Sequence, residues 1–217
     1  MLESQLKEQL TEALKGNLPG LEAQLKLASM RRLRRLEQQY DTTGAKRSAV
    51  LVPIYPAEGR EYKLVLMKRP EYPGVHSGQI SFPGGQVEDN DSSLIHTALR
   101  EAEEEVNIQS DEVEVLGEMT ELYIPPSNFL VQPVVGFLKQ RPNLIAEKEE
   151  VAQILEIPLS FFLDESNIQE MKIDVNSGLS ITTPAFKYEG HIIWGATAMM
   201  LSELNELIRS FNTSLDL

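Results

Sequence analysis

The chain has 217 residues, 41% of them hydrophobic and 24% charged, and its 33 acidic and 20 basic residues give a net charge of −13. This balance argues against general binding to nucleic acid or to an anionic membrane, although a metal ion can join an acidic protein to a phosphate ligand. The absence of cysteine excludes disulfides, thiol nucleophiles and thiolate zinc sites. The sequence has no signal pattern and no apolar run near the ~20 residues of a membrane span, so a cytoplasmic protein is expected.

Residues 1–44 are predicted to form a helical N-terminal extension ahead of a main domain at residues 45–217. Leucines recur at every fourth position from Leu2 to Leu14, which is the pattern of an amphipathic helix, and a second helical pattern follows. The second pattern carries an arginine-rich segment at residues 31–35. A solvated helix face explains those arginines best, with partner docking or dimerisation as the alternative.

Strand patterns precede and follow one central helix in the rest of the chain. They cover residues 48–56, 61–69, 80–82, 113–124, 129–138, 171–175 and 180–188, the last two joined as a hairpin through 176–178. The segment 149–159 is ambiguous by period, 160–165 is predicted to be a short helix, and a closing helix runs from Gly195 to Phe211. Strands on both sides of a central helix predict a mixed α/β sandwich.

The central helix carries four glutamates within five residues. At about 100° per residue, Glu101, Glu104 and Glu105 share one stripe beside the apolar face, whereas Glu103 points away. Carboxylates at the edge of a core are costly unless something compensates them. A hard cation such as Mg²⁺ would do so, since it takes one or two carboxylates together with substrate phosphate. The alternative is a solvent-exposed acidic helix without a ligand.

Two adjacent glycines, Gly84 and Gly85, open the loop that leads into this helix and favour the metal site over the alternative. Paired glycines let the backbone approach a ligand or a metal closely. Arg100 lies four positions before Glu104 on the helix, where it could orient a ligand carboxylate and limit the repulsion. Asn107 is a suitable end for the helix because asparagine tolerates the left-handed conformation.

The stretch from the glycines through the helix resembles a Nudix box, whose pattern is G-x5-E-x7-R-E-U-x-E-E-x-G-U, where U is aliphatic. The second half of the pattern fits from Arg100 to Ile108. Asn107 replaces the final glycine of the pattern. The interval from Gly85 to Arg100 is one residue longer than standard, and Asp91 stands in place of the first glutamate.

The longer interval resembles one branch of that family, the coenzyme A pyrophosphatases, which also carry L-L-T-x-R-S-x3-R-x3-G-x3-F-P-G-G upstream. Here LMKRPEYPGVHSGQISFPGG places Arg69, Gly78 and the F-P-G-G run at matching intervals. Pro70 and Gly74 depart from the pattern, Gly74 standing where the second arginine is usual. The resemblance covers about residues 47–207.

The resemblance implies an α/β/α sandwich around a mixed sheet and hydrolysis of a nucleoside diphosphate linked to another moiety. It also implies that Mg²⁺ or Mn²⁺ is held by Glu101, Glu104, Glu105 and the carbonyl of Gly84. Bound cations neutralise the charge of a pyrophosphate, orient the attacking water and stabilise the leaving phosphate.

The candidate functional residues form two further groups. Those assigned to catalysis are Glu101, Glu104 and Arg100, and those assigned to substrate binding are Arg69, Lys68 and His76. The general base that accepts the proton of water stays open among Glu101, Glu104 and Glu150. A guanidinium can bind phosphate through two hydrogen bonds. The alternatives are a surface charge for Lys68 and a hydrogen-bonded loop histidine for His76.

For coenzyme A, the expected products are 3′,5′-ADP and 4′-phosphopantetheine. Gly74 keeps open a related enzyme that acts on ADP-ribose, a dinucleotide or a nucleoside triphosphate. A Nudix-shaped binding protein without catalysis is the alternative from another class. The expected partner is therefore a small nucleoside diphosphate derivative, with neither nucleic acid nor membrane, and a homodimer is left open.

Overall fold

The computed structural model describes residues 2–36, 41–74, 76–175 and 179–211. Its helices are α1 Leu2–Lys15, α2 Gly20–Leu25, α3 Met30–Leu36, α4 Leu94–Val106, α5 Leu159–Leu163 and α6 Gly195–Ser210. Its strands are β1 Lys46–Pro56, β2 Tyr62–Lys68, β3 Ile80–Ser81, β4 Gly84–Gln86, β5 Val113–Glu118, β6 Leu122–Ile124, β7 Phe129–Leu138, β8 Gln153–Pro158, β9 Ile168–Val175, β10 Leu179–Tyr188 and β11 His191–Ile193. The predicted hairpin turn at 176–178 lies outside the described residues, as do 37–40 and 212–217 of the two predicted domains.

The main sheet is mixed. Its central order is β3-β2-β1-β7-β5, with β4 paired to β1, β6 to β7 and β8 to β2. The long pair β1 and β7 is parallel, whereas the other pairs of this sheet are antiparallel. A second sheet has the order β11-β10-β9. The predicted mixed α/β sandwich is confirmed.

Strand β1 explains how the layers form. Its side chains alternate between the two faces of the sheet, as strand geometry requires. Leu51 and Tyr55 pack with the apolar face of α4, whereas Val52 and Ile54 pack with residues of α1 and α6 on the opposite face. Because both faces are covered, this strand is apolar almost throughout. The two cores hold α4 against the middle of the sheet.

The N-terminal helices belong to the larger of these cores. Leu6 and Leu10 of α1 are fully buried among side chains of the sheet and of α6. A Cβ atom added at Gly117 of β5 would lie 2.9 Å from Cβ of Leu14, so α1 rests directly on that strand. The domain boundary placed at residue 44 stays a prediction.

Two elements differ from their predicted form. The second helical pattern divides into α2 and α3, and the chain between them buries Leu27 and Ala28 in the core. A new helix begins after Ser29, whose Oγ accepts the N–H of Arg32 at 3.3 Å. The single strand predicted at residues 113–124 is two strands, β5 and β6. The break between them places the N–H of Thr120 3.2 Å from a carboxylate oxygen of Glu203, a residue near the far end of the chain. The ambiguous segment 149–159 contributes β8 and the start of α5.

Helix α6 is fixed by buried polar contacts. Ser202 Oγ donates to the carbonyl of Ala23 at 2.7 Å, and Gln24 Nε2 donates to Glu203 Oε2 at 2.8 Å. Buried polar groups are costly unless hydrogen-bonded, so these contacts favour one seating of α6 against α2. Within the described residues, no helix combines the length and the apolar character that crossing a membrane requires.

Candidate active site

Helix α4 has defined ends and a buried face. The side chain of Ser93 accepts the N–H of His96 at 3.1 Å, which caps the first turn. Asn107 ends the helix in the left-handed conformation with φ 61°, as predicted. Ala98 and Ala102 are buried against the sheet. The helix therefore presents its acidic stripe at the border between core and solvent.

Gly84 and Gly85 bring the backbone of β4 against two different neighbours. Gly84 has φ 155°, and a Cβ atom there would lie 2.5 Å from Cα of Val50 in β1. A Cβ atom at Gly85 would overlap the carboxyl carbon and both carboxylate oxygens of Glu101. Because only glycine leaves this space, the Glu101 carboxylate of α4 packs directly against the backbone of β4.

Glu105 is the most buried carboxylate of the stripe, with 1% of its side chain exposed. It accepts the N–H of Gly84 through Oε2 at 2.7 Å, and Nη1 of Arg69 lies 3.9 Å from Oε1. Burial raises the pKa of Glu105 to about 8, against the lowering effects of the Gly84 N–H and Arg69. Burial also raises the pKa of Glu101 above its ordinary value. The charge of Glu101 raises the pKa of Glu105 further, so the charged form of Glu105 is disfavoured while Glu101 is charged.

Arg100 contacts two of the glutamates. Its Nη1 lies 3.0 Å from Oε1 of Glu101 and 3.0 Å from Oε2 of Glu104. Glu103 faces elsewhere, accepting the hydroxyl of Ser110 at 2.7 Å. The predicted division of the acids into a stripe of three and one outward residue is confirmed by these contacts.

Asp91 is a site residue that sequence reasoning noted only as a departure from the pattern. Its side chain is 1% exposed and accepts Nε and Nη2 of Arg100 at 3.0 and 2.9 Å. Thr97 Oγ1 and the N–H of Glu88 each donate to Oδ2 at 2.9 Å. The guanidinium of Arg100 holds the pKa of Asp91 well below its usual range. The spacing of nine residues before Arg100 was the available signal.

The predicted substrate-binding residues occupy the end of β2 and the loop that follows it. Arg69 reaches Glu105, as described above. Lys68 Nζ lies 3.8 Å from Glu71, and Nδ1 of His76 lies 3.0 Å from Oε1 of Gln79. The structure therefore brings Arg69 to the carboxylates, and it pairs Lys68 and His76 with residues of the loop.

Glu150 supplies a further negative charge beside the stripe. Its segment is tied to α4, since the N–H of Glu147 donates to the carbonyl of Glu105 at 2.9 Å. After burial, the charge of Glu150 is among the influences that raise the pKa values of Glu101 and Glu105. Glu150 is an exposed residue near Glu101 and Glu105.

The donor chemistry of these side chains fits a hard divalent cation. The donors are carboxylate oxygens, and burial raises the pKa values of two of them, Glu101 and Glu105. The missing side chain of Gly85 leaves the space that the Glu101 carboxylate fills. In the described part of the chain, no three acidic or histidine side chains are already arranged around a metal position. Glu104 is turned to Arg100 and Glu105 to Gly84, and they must move for all three glutamates to converge.

The chain is similar in sequence to known proteins of one family. The family described as NUDIX domain matches residues 45–162. The chain is 37% identical over 164 residues to an uncharacterized Nudix hydrolase NudL of Photorhabdus laumondii, covering 76% of this chain and 86% of that protein. It is also 37% identical over 169 residues to the protein of that name from Yersinia pestis, covering 78% and 83%.

A solved structure shares the fold. The crystal structure of a Nudix hydrolase from M. smegmatis, RenU, matches 78% of this chain and 89% of that one, with a TM-score of 0.51 and 14% identity. At this identity the likeness concerns the fold alone. From the family match, the two relatives and the box on α4, the chain belongs to the Nudix hydrolase family and is a pyrophosphohydrolase.

Proposed function

We propose that this enzyme hydrolyses the pyrophosphate bond of coenzyme A or its derivatives to 3′,5′-ADP and 4′-phosphopantetheine, using Mg²⁺ or Mn²⁺. The observation that carries the chemistry is the partly buried Glu101 and the buried Glu105 against the adjacent glycines. Arg69 lies beside the carboxylate of Glu105, and Arg100 lies beside that of Glu101. The choice of coenzyme A rests on the resemblance of residues 66–85 to the branch pattern.

Glu101, Glu104, Glu105 and the carbonyl of Gly84 are the groups proposed to hold the cation. When bound, the cation supplies neutralisation of the pyrophosphate charge and orientation of the attacking water. Oε2 of Glu105 accepts the Gly84 N–H, so this carboxylate must turn from that bond to join the other ligands.

The remaining groups act on substrate and proton. Arg69 lies next to Glu105 and can bind a phosphate oxygen that reaches this edge. Arg100 holds the orientation of the Glu101 and Glu104 carboxylates. Glu104 is 57% exposed, so an incoming water can reach it. Glu101 and Glu104 are the favoured proton acceptors, and Glu150 is the alternative.

The test is release of 3′,5′-ADP from coenzyme A by purified protein with Mg²⁺ or Mn²⁺. Glu104→Gln and Glu105→Gln should each lower kcat/KM by about 10²–10⁴-fold, the range typical of lost acid–base or charge-stabilising groups. Glu103→Gln is the matched control because this glutamate faces Ser110, and it should retain near-normal activity. No product at micromolar enzyme rejects the coenzyme A assignment.

One observation favours a second substrate class within the same chemistry. Gly74 stands where the coenzyme A branch has its second arginine. A panel of coenzyme A, ADP-ribose, a dinucleotide and a nucleoside triphosphate ranks the substrates by kcat/KM. The proposed location is the cytoplasm. The homodimer left open by the sequence is tested by the solution mass of the full chain.

A further inference from the structure

The loop after β2 is an arm built on the β2–β3 hairpin. The N–H of Arg69 donates to the carbonyl of Gln79 at 3.0 Å, and the N–H of Gly78 donates to the carbonyl of Pro70 at 3.1 Å. These two bonds continue the antiparallel register by which β2 and β3 pair. The two sides of the arm therefore run together beyond the edge of the sheet.

Tyr72 lies on this arm with 42% of its surface exposed. Its N–H donates to Ser77 Oγ on the other side of the arm at 2.9 Å. A Cβ atom added at Gly74 would lie 2.9 Å from Cε2 and 3.1 Å from Cδ2 of the Tyr72 ring. The ring therefore packs against the bare α-carbon of Gly74, and any side chain at position 74 would displace it.

The arm also carries a cation beside the buried carboxylate of Glu105. Arg69 stands at its base, 3.9 Å from Glu105, and Tyr72 follows three residues later. Three extended residues span at most about 10 Å. In a nucleotide, one sugar separates the phosphate from the base. On the arm, Arg69 can meet the phosphate and Tyr72, three residues later, can meet the base.

We propose that Tyr72 is a stacking platform for the planar base of the nucleoside part of the substrate. Aromatic side chains stack on any nucleobase because every base has a π-face. Gly74 makes this possible by leaving room for the ring, which gives a physical reason for the loss of the arginine usual in the branch. The inference rests on the proposed function only in requiring a nucleoside diphosphate derivative, and it holds for any base-containing member of that class.

The test compares AMP with ribose 5-phosphate, two ligands that differ only in the base. Tyr72→Ala should weaken AMP binding roughly tenfold and leave ribose 5-phosphate unchanged, whereas Tyr72→Phe should bind both normally. Met30→Ala, an exposed apolar residue on α3, is the control and should change neither affinity. In turnover assays, Tyr72→Ala should raise KM with kcat nearly retained.

Gly74→Ala provides the second variant. It should weaken AMP binding in the wild-type background, because the added methyl group displaces the Tyr72 ring. It should have no further effect in Tyr72→Ala, because that variant has no ring to displace. Equal AMP affinity of wild type and Tyr72→Ala overturns the proposal, as does an equal loss of both ligands. A wild-type protein that binds AMP no better than ribose 5-phosphate also overturns it. Failure to hydrolyse coenzyme A would leave the comparison intact, so the two proposals fail separately.

Discussion

The guanidinium of Arg100 donates two hydrogen bonds to the buried carboxylate of Asp91, from Nε to Oδ1 at 3.0 Å and from Nη2 to Oδ2 at 2.9 Å. The same guanidinium also reaches Glu101 and Glu104 through Nη1. Asp91 thus fixes one side of a planar group whose other side contacts the proposed metal ligands. Hydrogen bonds with Asp91 raise the pKa of Arg100 above its ordinary value, so this cation stays charged.

Replacing Asp91 should release Arg100 from its fixed position. Asp91→Ala leaves a largely buried guanidinium without its main partner, which we expect to cost about 2–3 kcal/mol of unfolding free energy. Activity should fall at least tenfold because Glu101 and Glu104 lose their orientation. Urea unfolding and kcat measure the two effects. Asp89→Asn, an exposed acid two residues away, is the control, and wild-type activity in Asp91→Ala would contradict the role.

Gly85→Ala should disable the site while the fold persists. The added methyl group collides with the Glu101 carboxylate, which can rotate away, so the cost falls on the site more than on the backbone. We expect a loss of activity comparable with that of Glu101→Ala and little further loss when both changes are combined. Gly16→Ala is the control, since a Cβ atom there meets nothing closer than 3.4 Å. Additive losses would show that the collision is not the cause.

Glu150→Gln distinguishes the candidate bases. If the proton acceptor is Glu101 or Glu104, this change should lower kcat less than tenfold, whereas Glu101→Gln should lower it at least a hundredfold. The adjacent exposed Glu149 supplies the matched variant, Glu149→Gln, which we expect to be unaffected. A larger loss of kcat in Glu150→Gln than in Glu101→Gln would identify Glu150 as the base.

The stability of the protein should depend on pH through Glu156. Its carboxylate accepts two hydrogen bonds from Arg141, at 2.6 and 2.7 Å, and one from the buried hydroxyl of Tyr55. The bonds from Arg141 lower the pKa of Glu156 in the folded state. Its stabilising effect is therefore complete above the unfolded value of about 4.3 and is lost as pH falls through the folded pKa.

Glu156→Gln should therefore lower Tm at pH 7, and the difference from wild type should shrink as the pH falls below about 4. Thermal scans from pH 7 to pH 3 measure this difference. The exposed pair of Glu12 and Lys15 provides the control, because Glu12→Gln should shift Tm little at any pH. A difference that grows on acidification would contradict the sign.

Helix α1 should contribute to the stability of the whole chain. Leu10→Ala removes a fully buried side chain and should cost about 2–5 kcal/mol in chemical unfolding. Leu21→Ala, at a position 46% exposed, should change stability by less than about 0.5 kcal/mol. Unchanged stability in Leu10→Ala, or normal folding after removal of residues 1–40, would mark the N-terminal helices as a separate unit.

The helix that carries the acids was predictable because its geometry is local. A rotation of about 100° per residue places Glu101, Glu104 and Glu105 together and Glu103 apart. Asn107 marks the end of the helix. Strand β1 was predictable because its burial on both faces leaves an apolar run in the sequence. These features depend on neighbours in the sequence, which a pattern records.

Other contacts join distant segments and leave no periodic signal. In the sequence, Asp91 has the pattern of a loop residue. Its hydrogen bond with Arg100 depends on the path of the loop that joins β4 to α4. The break between β5 and β6 depends on Glu203. The spacing of Leu21, Leu25 and Ala28 predicts one helix through residues 26–29, but Ser29 caps a new helix by accepting the N–H of Arg32.

The seating of α6 bears on how the protein is made. Ser202 and Ala23 are 179 residues apart in the chain, as are Glu203 and Gln24. A ribosome synthesises α2 well before α6, so α2 must wait for 179 further residues before these contacts can form. Such distant closures slow folding, and the nascent chain carries an unmatched apolar surface until α6 emerges.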